Sequence, residues 1–143
     1  MKKGVWVILL AVGIISCSGS KIIGYSYTEG GMMGSVKTTI TADSLSFLRY
    51  SEGQKSYEAQ TSNAESWALV HSMGKHIDYK GMDTLKAPSM GRATDAAPFA
   101  NFEIITKDSV YTSASFDGGK PPVSLAAIVL QMSKISTSET SKK

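Results

Sequence analysis

Ser35-Val36-Lys37-Thr38-Thr39-Ile40-Thr41-Ala42-Asp43-Ser44-Leu45-Ser46-Phe47-Leu48-Arg49-Tyr50 is the stretch from which the fold can be read. Val36, Thr38 and Ile40 alternate with Lys37, Thr39 and Thr41, the period-two pattern of a half-buried strand. Ala42-Asp43-Ser44 supplies a turn, and residues 45–50 return as the hairpin partner. Before this hairpin, residues 21–28 read as a strand with Ile23, Tyr25 and Tyr27 on one face and Ile22 on the other. Segment 29–34 holds three glycines in six residues and predicts a turn or mobile loop. Residues 55–60 read as a further strand.

Helical periodicity follows. Ser62-Asn63-Ala64-Glu65 fits a capping box, in which serine and glutamate satisfy each other's orphan amides. Trp67, Val70, Gly74 and Ile77 then recur at helical spacing, with Leu69 and Met73 widening the apolar stripe. Residues 102–106 and 109–116 read as a second hairpin around Lys107-Asp108. Pro121-Pro122 suits a helix start, and Leu125, Ile128, Val129, Met132 and Ile135 form a second stripe. Residues 137–143 read as a disordered polar tail.

The expected class is α+β, an antiparallel sheet of about 4–5 strands with two helices packed on one face. The other face is then at least partly wet. Residues 40–45 align with 105–110 at an offset of 65, and each hairpin precedes a helix. This suggests a duplicated hairpin–helix unit; a chance match of Asp-Ser turns is the alternative.

The first residues have a different organisation. Met1-Lys2-Lys3 is positive, and Gly4 to Ile15 is uncharged and densely apolar. The apolar run is too short for a bilayer span, which takes roughly 20 residues, and the layout is that of a secretory signal. Ile14-Ile15-Ser16-Cys17 resembles the lipobox of bacterial lipoproteins. The resemblance implies cleavage after Ser16, so that 1–16 is a signal peptide. It also implies acylation of Cys17, a tether over 17–20 and one domain over 21–136. Stable anchoring needs two or more chains, each buried methylene contributing about 0.8 kcal/mol. Ser18, where enteric inner-membrane lipoproteins usually carry Asp, favours the outer membrane by the same resemblance.

Composition narrows the rest. Cys17 is the chain's sole cysteine, so lipidation explains it and the domain is expected to lack disulfides and thiolate metal sites. Without residues 1–16 the chain has 127 residues, with 13 basic and 12 acidic. No basic stripe argues for nucleic acid.

Candidate chemistry is sparse. His71, Met73 and His76 invite a copper reading, but His71 and His76 lie roughly 140° apart around a helix. No metal or cofactor is expected. No Gly-x-Ser-x-Gly elbow, phosphate loop or zinc motif is present. Met32, Met33, Met82 and Met90 fall in glycine-rich segments, either as adaptable contacts or as gap fillers. Paired carboxylates for acid–base work could be drawn from Asp83, Asp95, Asp108 and Asp117. Asp108 and Asp117 occupy ordinary turn positions, whereas Asp95 is expected to be buried and paired with Arg92. Phe116-Asp117-Gly118-Gly119-Lys120-Pro121-Pro122 is a stiff turn entering the last helix.

The expectation is a lipid-anchored envelope protein with a non-catalytic binding or accessory domain, its partner an envelope protein or surface component. Contacts are sought in loops 29–34, 78–101 and 116–122, with Arg92, Asp95, Asp117 and Lys120 as candidate binding or structural residues. The competing reading is a small envelope enzyme or inhibitor acting through Arg92 and Asp95.

Overall fold

The computed structural model describes residues 20–140; the lipobox, Cys17 included, lies outside them. The fold is α+β. Seven strands form one antiparallel sheet: β1 (Ile22–Gly31), β2 (Gly34–Thr41), β3 (Ser44–Ser51), β4 (Gln54–Thr61), β5 (Phe99–Thr106), β6 (Val110–Thr112) and β7 (Phe116–Asp117). Their order is β4-β3-β2-β1-β5-β6, with β7 also on β5. Two helices, α1 (Ala64–Gly74) and α2 (Ala126–Thr140), pack against each other and against β1.

The quoted hairpin forms as its alternation demands. Ile40 pairs with Leu45 and Thr38 with Phe47, and all four face the helices and are buried. The same rows continue through Tyr25 and Tyr27 of β1 to Ile104 and Phe102 of β5. These residues make one core with Val70 of α1 and Leu125, Ile128, Val129 and Met132 of the α2 region.

Several expectations change. The sheet has seven strands rather than 4–5, and β1 is longer than expected because glycine did not end it. Glu29 and Gly30 stay paired to both neighbours, so only Met32 and Met33 form the turn. A bulge at Ile23 breaks the simple alternation in β1. Ile22, not Ile23, packs on the core, and Ile23 is exposed. Residues 109–116 are not one strand but two short ones, interrupted where the Ser113 hydroxyl takes the Phe102 amide at 3.0 Å. The cap of α1 is Asn63, whose side chain accepts from Glu65 N at 2.8 Å; it displaces Ser62 from that role. α2 continues to Thr140, past the expected tail boundary.

The two hairpin turns do match locally. Thr41 Oγ1 accepts from the amides of Asp43 and Ser44, and Thr106 Oγ1 from those of Asp108 and Ser109. The larger units do not superpose. Ile40 faces the helices, while its counterpart Ile105 lies on the opposite face, since Tyr25 pairs with Ile104. A rotation that carried one hairpin onto the other would put the two helices on opposite faces.

α1 reaches the sheet at Gly74. A Cβ there would lie 2.2 Å from the Tyr25 ring. Alanine is the better helix former by about 1 kcal/mol, but the ring cannot yield, because it also packs on Trp67 and Phe102. Gly74→Ala is therefore expected to destabilise the fold by roughly 1–3 kcal/mol through overpacking, read as a lower urea midpoint. A raised midpoint would mean that propensity, not the contact, governs this position.

Candidate functional site

Asp117 sits at the end of β7, 1% exposed. A buried carboxylate needs its charge answered locally. Oδ2 accepts from the Ser89 hydroxyl at 2.5 Å and from Gly91 N at 2.7 Å. Oδ1 accepts from Arg92 N and from its guanidinium, both at 3.0 Å. The same guanidinium nitrogen donates to the Ser89 carbonyl at 2.8 Å. The two amides come from the start of a 3₁₀ turn, Gly91–Thr94. These bonds, the Ser89 hydroxyl first and the Arg92 amide next, hold the acid well below the usual carboxylate range. A carboxylate so stabilised is poorly matched to proton transfer near neutrality. What it does is pin residues 89–94 to the sheet.

This corrects the expected Arg92–Asp95 pair. The partner of Arg92 is Asp117. Asp95 is exposed, in a left-handed conformation (φ 56°) just past the 3₁₀ turn. The short turn points its amides toward β7 and its end toward solvent, so burial goes to the other aspartate. Lys120 is exposed beyond the knot. The 78–101 stretch is less irregular than its composition implied. It contains a second 3₁₀ turn, Tyr79–Thr84, and buries Met82 completely.

A second polar contact lies next to the knot. The Tyr27 hydroxyl donates to Glu29 Oε2 at 2.6 Å. Burial, with Glu29 beside it, pushes the Tyr27 phenol well above its ordinary value. A Cβ on Gly118 would come within 2.6 Å of Glu29 Oε1 and 2.7 Å of Pro98, so only glycine fits there. In the core, burial pushes the Tyr25 phenol up to about 12. Its hydroxyl meets His71 Nδ1 at 3.0 Å, and the His71 ring stacks on Trp67. His76 is exposed. Among the described residues, no three of His, Cys, Asp and Glu gather as a metal site would require.

The open surface is at the far end of β1 from Ser20. Phe99, Gly30, Ser35 and Tyr50 form one row across four strands on the face away from the helices. The aromatic ends are 40% and 46% exposed, and Met32 and Met33 stand over the row at 88% and 80%. Small residues in the middle leave a concavity of about 340 Å³. Three strand spacings separate the backbone positions of Phe99 and Tyr50, about 14 Å, against about 10–12 Å for a helix with its side chains. Met32 and Met33 were visible as flexible methionines; the Phe99–Tyr50 row depends on register, which sequence periodicity does not supply.

No family model matches the chain, and no curated protein matches it either.

Asp117→Asn should lower the melting temperature at neutral pH by removing the charge that Arg92 and the turn amides require. The native carboxyl titrates below its unfolded value near 3.9. Its stabilisation is therefore complete above about pH 5 and declines as pH falls toward the native value. The gap between wild type and variant should shrink between about pH 5 and 2. A gap that stayed constant over that range would assign the loss to shape rather than charge.

Proposed function

We propose that this chain is a lipoprotein of the cell envelope, anchored through Cys17 and favouring the outer membrane, whose domain is a non-catalytic binding or accessory module. The anchoring half rests on the lipobox-like Ile14-Ile15-Ser16-Cys17 behind a charged and then apolar leader. The binding half rests on the groove of Phe99, Tyr50, Met32 and Met33. Exposed flexible methionines beside rigid aromatics suit contact with another protein's apolar side chains. The groove's breadth favours a polypeptide segment over a small ligand.

The enzyme or inhibitor reading through the 78–101 loop has less to support it. The guanidinium of Arg92 is spent on Asp117 and Ser89, and Asp95 is exposed rather than set against Arg92.

Two measurements test the proposal. Cys17→Ala should abolish incorporation of labelled palmitate and give an uncleaved or soluble product; retention of label would refute the anchor. Replacing Met32 and Met33 by serine should leave anchoring intact and weaken capture of an envelope partner from detergent extract. The loss should be about tenfold or more for each methionine buried on binding. Undiminished capture of the same partner would move the binding surface elsewhere.

A further inference from the structure

The sheet has two edges and treats them differently. Along β5 the outer strand is split into β6, three residues, and β7, two. The 3₁₀ segment Tyr79–Thr84 packs on that side, with Ala114 N donating to the Met82 carbonyl at 3.2 Å. Short, interrupted and covered strands are how proteins blunt an edge. β4 has none of these devices. It runs eight residues without proline or a register shift, and every residue in it is exposed. Its lysine, Lys55, is drawn onto the Tyr50 ring, 5.6 Å from the centroid. Among the described residues β4 is paired on one side only, by β3.

The turn before β4 fixes which amides face outward. Glu52 and Gly53 both have positive φ, 50° and 78°, as in a two-residue type I′ hairpin closed by the hydrogen-bonded pair Ser51 and Gln54. Hydrogen-bonded pairs then alternate, so Gln54, Ser56, Glu58 and Gln60 direct their backbone groups to β3. The amides and carbonyls of Lys55, Tyr57, Ala59 and Thr61 point out of the sheet.

We propose that β4 pairs antiparallel with β4 of a second copy of this chain, about a two-fold axis through Tyr57. This register sets Tyr57 against the second copy's Tyr57 and Lys55 against its Ala59. It also sets Gln54 against the second copy's Gln60, and the Ser56 hydroxyl across from its Glu58. The outward amides and carbonyls of Lys55, Tyr57 and Ala59 meet those of Ala59, Tyr57 and Lys55 in the second copy, Thr61 falls opposite the turn at Gly53, and no like charges stand directly opposite. Centring the axis on Glu58 instead opposes two carboxylates directly. Centring it on Ser56 brings the two Lys55 ammoniums within a diagonal step, as the Tyr57 register does the two Glu58 carboxylates, but each Glu58 is already bonded to Arg49 of its own chain at 3.3 Å. Both faces of β4 are open, so no helix obstructs the approach. Because the strands run in opposite directions, the two Ser20 ends leave the joined sheet at opposite ends.

The test uses the full chain in detergent micelles. Light scattering should give a protein mass of two chains. Ala59→Pro deletes an outward amide while sparing the ladder to β3, and should halve that mass with an unchanged circular dichroism spectrum. Tyr57→Cys should form an intermolecular disulfide on oxidation, since opposed strand Cα atoms lie about 5.5 Å apart. Ala127→Cys on the exposed side of α2, in the same Cys17 background, should not. A one-chain mass with no Tyr57→Cys cross-link would overturn the proposal, including the case in which β4 instead captures a foreign strand. So would a dimer that survives Ala59→Pro, or equal cross-linking by the two cysteine variants.

Discussion

Tyr25 is the point through which the two layers of this protein are joined. It lies in β1, the strand that pairs with both β2 and β5, and it is fully buried. Its ring contacts Trp67 and His71 of α1 and Phe102 of β5, and its hydroxyl is answered by His71. A large ring at the sheet's centre fixes how close a helix can come, and α1 approaches by presenting the one residue type without a side chain. Packing, hydrogen bonding and helix placement thus depend on one another here. The Ile23 bulge serves the same layer, because it turns Ile22 inward beside Tyr25 and Tyr27.

Asp117 performs the corresponding task for the chain between α1 and β5. That stretch has few apolar residues with which to hold itself down. Met82, Ile77, Tyr79, Leu85 and Ala87 reach the core, but residues 88–95 contribute nothing buried. A charged, hydrogen-bonded pin replaces the missing apolar contact. Removing one partner of such a group is costly because the others are left unanswered. The same argument explains why the buried acid is a structural element: its acceptor capacity is committed to the fold.

What was legible in the sequence follows from which signals are local. Residues 35–50 alternate because one face is buried and the other wet, and the hairpin was read correctly from that alone. The stripes of α1 and α2 were likewise periodic. The Ile23 bulge was not legible, since one extra residue is seen only against the partner strands. Continuation of β1 through Gly30 was hidden for the opposite reason: glycine normally signals a turn, but here Ser35 stands close across the ladder, and a Cβ on Gly30 would lie 2.3 Å from its Cβ. Arg92 and Asp117 were both singled out, yet the pairing was assigned to the near aspartate rather than the one 25 residues away. Sequence proximity carries no information about which carboxylate the fold will bury.

The polar face explains where a binding concavity can exist. Ser26 is fully buried although the helices lie on the other side of the sheet. Its cover comes from its own neighbours. Lys37 on β2 and Glu103 on β5 bond at 2.6 Å, and since β1 lies between those strands, the pair arches over it. Ser26 and Thr39 then bond beneath at 2.7 Å. The middle of the face is thereby closed by long side chains laid across short ones. At the next rows toward the Met32-Met33 turn the short residues recur, as Gly30 and Ser35, but the flanking residues are Phe99 and Tyr50, which stand upright and have no opposite charge to draw them together. Small residues on the central strands are thus sealed in one place, where a lysine on β2 and a glutamate on β5 close over β1, and open in the other, where the flanking residues are two uncharged aromatics.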